Sequence, residues 1–126
     1  MSYSIKISKE ALEDIFGHIK YILKDLENPD GAIKLLHNFL NEINCLGIFP
    51  FKSLGIGFHY RGYQIHKKIY KSYLLFYIVN TSENTIEVLR VLQNSINWQK
   101  VIRRSAPYHF ILNLTSLLQI LYLTRQ

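Results

Sequence analysis

Runs of apolar residues between positions 64 and 98 predict the centre of a β-sheet. Residues 73–79 are almost wholly apolar and rich in aromatic and β-branched side chains, which is typical of a strand covered on both faces. A second apolar run, residues 85–92, follows a short polar link, and residues 64–70 precede the equally short link Lys71-Ser72. Because links of this length join antiparallel neighbours, the three runs predict a three-strand meander.

Apolar residues at spacings of three and four predict two helices ahead of the meander. They recur through residues 12–26, and Ser8 stands where a helix-capping side chain is expected. Pro29 suits the first position of a second helix, and Pro50 forbids its continuation. Residues 3–7 alternate large and polar side chains, which predicts a short strand before both helices. The two helices then form an antiparallel hairpin that covers the sheet.

Two further segments flank this pattern. Residues 51–60 carry two of the six glycines and show no periodicity, so we predict a loop that crosses from the helices to the sheet. The glycines lack the lysine and following helix of a phosphate loop. After Pro107, an apolar stripe predicts an appended amphipathic helix, which docks on its own domain or on a second copy in a homo-oligomer. Its members are Phe110, Ile111, Leu114, Leu117, Leu118 and Leu121.

The order of these elements predicts an α+β fold. It comprises an N-terminal strand, an antiparallel two-helix hairpin packed on an antiparallel sheet completed by the three-strand meander, a short C-terminal helix and an extra apolar tail. We expect one domain at residues 1–104 and a C-terminal amphipathic extension at residues 105–126. A length of 126 residues with 48% hydrophobic composition agrees with a single domain that has a sizeable core.

The charge balance favours a polyanionic partner. The formal net charge is +6, which suits RNA, DNA or the ribosome, although a basic surface that only maintains solubility accounts for it equally. The single cysteine, Cys45, lies among apolar helix positions, so we assign it to the core and expect a reducing compartment. No signal-peptide pattern is present, and polar residues interrupt the apolar tail too often for a bilayer span. We therefore expect a cytoplasmic protein without membrane contact.

The motifs of common enzyme classes are missing from the sequence. It contains no cysteine pair for zinc and no histidine pair at helical ligand spacing with an acid, so we expect no metal and no cofactor. No serine lies in a nucleophile elbow. The meander does carry a cluster of cations and phenols, which could stack bases and hold phosphates, but half-buried sheet tyrosines beside solvated lysines account for it as well. The cluster is His66, Lys67, Lys68, Tyr70, Lys71, Tyr73, Tyr77 and Arg90.

Several short motifs follow one another in a distinctive order within residues 3–103. They are Ile7-Ser8-Lys9-Glu10-Ala11 with Asp14-Ile15, then Leu26-Glu27-Asn28-Pro29, then Lys71-Ser72-Tyr73-Leu74-Leu75-Phe76-Tyr77, and finally Leu89-Arg90-Val91-Leu92 with Trp98. In this order and spacing they resemble the RelE/ParE superfamily of bacterial type II toxins. Members resembling RelE cut messenger RNA on the ribosome, members resembling ParE poison DNA gyrase, and both are neutralised by an antitoxin.

The resemblance implies partners and an activity. We expect a cognate antitoxin, and inhibition of translation by ribosome-dependent, metal-independent cleavage of mRNA. The alternatives are a ParE-like inhibitor of DNA gyrase and a member that retains only antitoxin binding. RNA cleavage requires a base near the ribose 2′-hydroxyl and cations around the phosphate. The resemblance implies His66, Lys67, Lys68 and Arg90 as catalytic residues and Lys71, Tyr73, Gln93, Lys100 and Arg103 as substrate-binding residues.

Two of these catalytic assignments depend on the side chain's own chemistry. His66 is the best single candidate for acid or base work, because imidazole changes protonation near neutral pH. Arg90 has an alternative role as a buried structural cation paired with Glu10 or Asp14.

The chain departs from the family pattern directly after the last strand. Relatives often carry His or Tyr where Gln93 stands, arginine at Ser95 or Ile96, and an acid at Asn97. An arginine that is common on the second strand of the meander is replaced by His66. The segment after the last strand therefore supplies neither a titratable base nor a cation.

Overall fold

One mixed six-stranded sheet carries the fold in the computed structural model. The model describes the backbone of residues 3–124, and the side chains of these residues except 111, 112 and 120–124. The elements are β1 (Ser4–Ser8), α1 (Lys9–Lys20) with a π-helical turn (Tyr21–Asp25), α2 (Pro29–Ile48), β2 (Gly55–Tyr60), β3 (Tyr63–Tyr70), β4 (Tyr73–Asn80), β5 (Thr85–Gln93), α3 (Trp98–Ser105), β6 (Phe110–Asn113) and α4 (Leu114–Thr124).

The strand order in the sheet is β2-β3-β4-β5-β1-β6. β1 runs parallel to β5, whereas the other neighbouring strands are antiparallel. The predicted α+β fold, with its N-terminal strand, helix hairpin and meander, is confirmed. The sheet is mixed because β5, which the chain reaches after the helix hairpin and the first two strands of the meander, runs in the same direction as β1.

Apolar side chains pack on both faces of the sheet. On one face, Tyr77 and other buried residues of β4 and β5 contact the helix hairpin, where Phe39 and Ile43 of α2 are fully buried. On the other face, Phe76 and its neighbours contact Ile102 of α3. β4 is buried from Leu74 onward because both layers cover it, which explains its almost continuous apolar sequence.

Side-chain caps begin both helices of the hairpin. The Oγ of Ser8 accepts a hydrogen bond from the backbone N–H of Ala11 at 2.9 Å. The Oδ1 of Asn28 accepts one from Gly31 at 3.0 Å, and Pro29 occupies the first turn of α2. These caps satisfy N–H groups that have no partner within a helix. Ser8, which the sequence predicted as a capping residue, and Pro29, which it predicted at the start of the second helix, are therefore in place.

The prediction of a loop over residues 51–60 is wrong in its second half. Gly55–Tyr60 forms β2, an edge strand paired with β3. Ile56, Phe58 and Tyr60 alternate along it and pack against the core on the α3 side of the sheet. The pairing is irregular between Gly55 and His59, and Gly57 has a φ of 84°, which a residue with a side chain rarely adopts.

The C-terminal segment begins as a strand, so the prediction of a helix from Phe110 is wrong at its start. Phe110–Asn113 forms β6, antiparallel to β1, and α4 follows. Leu114 and Leu117 are buried in the core on the hairpin side of the sheet, whereas Leu118 is 43% exposed. The side chains of Ile111 and Leu121 lie outside the described residues. No described helix, α4 included, is long and apolar enough to cross a membrane.

The burial of Leu117 predicts that α4 contributes to stability. We expect Leu117→Ala to lower the free energy of unfolding by about 2–3 kcal/mol, because truncating a buried leucine removes apolar contacts and leaves a cavity. Leu118→Ala, the control on the same helix, should change it by less than about 1 kcal/mol. Urea denaturation followed by circular dichroism measures both values. Equal losses in the two variants would contradict docking of α4 through Leu117.

Candidate functional site

The predicted catalytic residues are divided between the two faces of the sheet. On β3, His66 and Lys68 face the helix hairpin, whereas Lys67 faces α3, because successive side chains of a strand point to opposite faces. Arg90 lies on β5, and β4 separates it from β3. The four side chains therefore do not converge on one point.

His66 is held by aromatic stacking and by the segment that follows α2. Its ring stacks on Tyr77 with centroids 5.3 Å apart and an interplanar angle of 19°. Its Nδ1 lies 2.9 Å from the carbonyl oxygen of Ser53, so Nδ1 carries the hydrogen and donates. The Tyr77 hydroxyl donates to the carbonyl oxygen of Pro50 at 3.0 Å, and burial raises the pKa of Tyr77. His66 and Tyr77 thus attach this segment to the sheet.

The charge of Lys68 is compensated by α2. Its Nζ lies 2.7 Å from the Oε2 of Glu42 and 3.3 Å from the carbonyl oxygen of the same residue. Both side chains are mostly covered, with 22% and 29% exposure. An ammonium group in a close ion pair exerts much less attraction on a phosphate than an unpaired one. Lys68 therefore ties β3 to α2.

Arg90 is engaged by three hydrogen bonds from its guanidinium group. Nε and Nη2 donate to the two carboxylate oxygens of Asp14, at 2.7 and 2.8 Å. Nη1 donates to the hydroxyl of Ser105 at 2.6 Å. The hydrogen bonds to Asp14 raise the pKa of Arg90, so the guanidinium remains charged. Of the two interpretations of Arg90, the structural ion pair with Asp14 is the arrangement found, whereas Glu10 contacts His109.

Lys67 lies in different surroundings on the α3 side of the sheet. Its Nζ lies 4.8 Å from the centre of the Trp98 ring, which is the geometry of a cation–π contact. Both side chains line an open pocket of about 600 Å³, together with Leu54 and Ile69. Within residues 3–124, Lys67 forms no ion pair.

The predicted substrate-binding residues are also divided. Lys71, Tyr73 and Gln93 lie at one end of the sheet, where Tyr73 is paired with Gln93 on β5. The Tyr73 ring packs against the rings of Phe39 and His18, with centroids 4.9 Å apart in each pair. Burial raises the pKa of Tyr73, and the nearby Tyr70 contributes a smaller increase. Lys100 and Arg103 lie on α3, on the opposite side of the sheet.

The sequence analysis did not identify an aromatic support beneath the cations of α3. Phe58 of β2 and Trp98 of α3 meet edge to face, with centroids 6.3 Å apart. The Arg103 guanidinium lies 5.5 Å from the centre of the Phe58 ring, and Lys67 lies over Trp98. We call Lys67, Lys100, Arg103 and Arg104 the α3 basic face. The sequence does contain one signal for the positive charge of this face, because no acidic residue follows Glu87.

Candidate metal ligands and nucleophiles are scattered. The described part of the chain contains no group of three or more His, Cys, Asp or Glu side chains that could hold a metal ion. Cys45 is exposed on α2, so its assignment to the core is wrong. It lies between the stripe residues Ile43 and Leu46, on the part of the helix that faces away from the sheet.

Comparison with known proteins decides the family. A family model of the ParE toxin of the type II toxin–antitoxin system parDE matches residues 5–98. The chain belongs to this family. The predicted membership of the RelE/ParE superfamily is therefore confirmed, and the protein is a toxin of a type II toxin–antitoxin system.

Solved structures share the fold of this ParE-family toxin at low sequence identity. It resembles the chromosomal ParDE system of P. aeruginosa, with 16% identity, a TM-score of 0.59 and coverage of 73% of this chain and 96% of that one. The RelBE2 toxin–antitoxin complex of Mycobacterium tuberculosis shares 16% identity with it at a TM-score of 0.52, and the match covers 74% of this chain and 99% of that one. The archaeal RelE–RelB complex of Pyrococcus horikoshii shares 19% identity with it at a TM-score of 0.50, and the match covers 75% of this chain and 98% of that one. No curated protein sequence matches the chain significantly.

The Arg90–Asp14 pair predicts a strong effect of Asp14 on stability. We expect Asp14→Asn to lower the free energy of unfolding by about 3 kcal/mol, because it leaves a mostly buried guanidinium without its counter-charge. The control is Glu13→Gln, which removes an exposed ion pair with Lys9 and should cost less than about 1 kcal/mol. Thermal and urea denaturation measure the difference. Similar values for the two variants would show that Arg90 does not depend on Asp14.

Proposed function

We propose that this ParE-family toxin inhibits DNA gyrase by binding it and does not cleave RNA. The observation that supports this is the division of the predicted catalytic set. Cleavage of RNA needs a base and several available cations around one phosphate. Here Lys68 and Arg90 are paired with carboxylates, and Lys67 lies on the other face of the sheet. An arrangement in which the catalytic groups do not converge suits a protein that inhibits its target by binding it.

Ribosome-dependent cleavage of mRNA is the second candidate. His66 and Lys68 favour it, because they are two residues apart on one strand and share the face that also carries Tyr77. In this case His66 would act through Nε2, since its Nδ1 donates to Ser53. Lys68 would have to exchange Glu42 for a phosphate. A member that retains only antitoxin binding would show neither activity.

The two activities can be compared with one purified sample. We expect the protein to inhibit supercoiling of relaxed plasmid by gyrase, and to leave linear DNA after denaturation of the trapped cleavage complexes. In a coupled translation reaction, primer extension should show intact message, both for the wild type and for the His66→Ala/Lys67→Ala variant. Discrete cuts in ribosome-bound message that disappear in this variant, with gyrase unaffected, would establish the second candidate in place of the first.

We also propose that a cognate antitoxin covers an apolar surface beside β3. Leu54 and Ile69, which we call the loop patch, are 85% and 66% exposed and line the same open pocket. Large apolar groups that lie together on a surface often mark a protein-binding site. The backbone N–H of Lys67 donates to the carbonyl oxygen of Leu54, so the patch rests directly on β3.

The loop patch predicts which substitution releases the antitoxin. We expect Leu54→Asp to weaken co-purification of the toxin with the protein encoded by the adjacent reading frame by at least tenfold, because it places a carboxylate in an apolar interface. Leu26→Asp is the control, since Leu26 is 55% exposed but lies at the helix hairpin. Release by Leu26→Asp alone would place the antitoxin on the hairpin and contradict the proposal.

A further inference from the structure

Acidic residues are distributed very unevenly along the chain. Of nine Asp and Glu residues, only Glu83 and Glu87 follow Glu42, and none occurs in residues 88–126. The segment of α3 carries Lys100, Arg103 and Arg104 on three and four residue spacings, which place them on one side of the helix. All three line a single open pocket of about 330 Å³. The sequence therefore concentrates positive charge on one element without compensating carboxylates.

Ion pairing further distinguishes the cations of the α3 basic face from those elsewhere in the sheet. Elsewhere in the sheet, Arg61 pairs with the buried Glu87, Lys68 with Glu42, and Arg90 with Asp14. The four cations of the α3 basic face make no ion pair with any residue between positions 3 and 124. Arg103, Arg104 and Lys100 are exposed, and Lys67 is half-buried. Their charges are thus available to an anionic partner.

The aromatic rings beneath this face are already occupied. Phe76 packs against Trp98 with centroids 5.3 Å apart, and Lys67 lies over the same ring. Arg103 covers the Phe58 ring. Proteins that bind single-stranded nucleic acid use exposed rings on which the bases stack. The α3 basic face offers unpaired cations without a free stacking surface, and this combination suits phosphates displayed by a duplex.

We propose that the α3 basic face binds the phosphate backbone of duplex DNA. Lys100 and Arg104 are free to reach phosphates, while the contacts of Lys67 and Arg103 with aromatic rings restrain their side chains before binding and reduce the entropy that they lose. Contacts of this kind carry no base specificity, so binding depends on salt and not on sequence. The inference concerns the protein alone and holds whether or not gyrase is the target.

Fluorescence anisotropy with a labelled duplex of about 20 base pairs tests this binding on the purified full chain. Neutralisation of about four phosphates predicts a slope of about −3.6 for log affinity against log salt. The Lys100→Ala/Arg103→Ala/Arg104→Ala variant should bind at least tenfold more weakly, with a slope reduced by about 2.7. The matched control, Lys20→Ala/Lys24→Ala/Lys34→Ala, removes the same charge from exposed positions of the helix hairpin and should change affinity less than threefold.

Additional measurements distinguish duplex binding by the α3 basic face from a general effect of net charge. Because Arg103 packs on Phe58, a second variant, Lys100→Ala/Arg104→Ala, leaves that contact intact, and melting curves verify that both variants fold. The double variant should reduce the slope of log affinity against log salt by about 1.8. Equal losses in the hairpin control would reduce the effect to net charge and overturn the proposal. So would tighter binding of a single strand of equal length, or binding of a glutamate-rich peptide without binding of the duplex.

Discussion

The fold depends on the side chain of Ser8 and on two side chains of α1, which complete the hydrogen bonding of β5 where β1 ends. Ser8 donates its hydroxyl hydrogen to the carbonyl oxygen of Leu89 at 2.7 Å, Asp14 accepts from the N–H of Val91 at 3.0 Å, and Nε2 of His18 donates to the carbonyl oxygen of Val91 at 2.8 Å. An unpaired backbone group at this buried position would be costly. The three contacts hold the hairpin against the sheet, and Asp14 at the same time engages Arg90.

Those parts of the fold whose residues follow one clear periodicity were predictable from the sequence. The helix hairpin and the meander are of this kind, because their apolar faces and caps are local features. β2 was not, since Gly55 and Gly57 interrupt the alternation of Ile56 and Phe58 and conceal a strand that only its pairing with β3 explains. At Phe110 the apolar pattern suits a helix, but the outer edge of β1 needs hydrogen-bond partners, and this tertiary requirement selects β6.

Prediction of the candidate site reached residue types and one ion pair, but not the other surroundings. The cations of β3 and β5 are evident in the sequence, and Asp14 was one of the two partners expected for Arg90, whereas Glu42, which neutralises Lys68, comes from a distant segment and was not identified. The alternation of a strand does separate Lys67 from its neighbours, so that division could have been predicted once β3 was assigned. The aromatic support of α3 could not, because it joins Phe58 and Trp98 across an irregular edge strand.

The interior position of β1, one strand from the edge, determines when the sheet can be completed. This strand lies between β5 and β6, and the bond from Ser8 to Leu89 alone spans 81 residues of chain. Contacts between residues so far apart form more slowly than local ones, because a long loop must close first. During synthesis, β5 is made only after about two-thirds of the chain, because it begins at Thr85. The toxin therefore acquires its complete sheet late, and the first strand to be made is among the last to be paired.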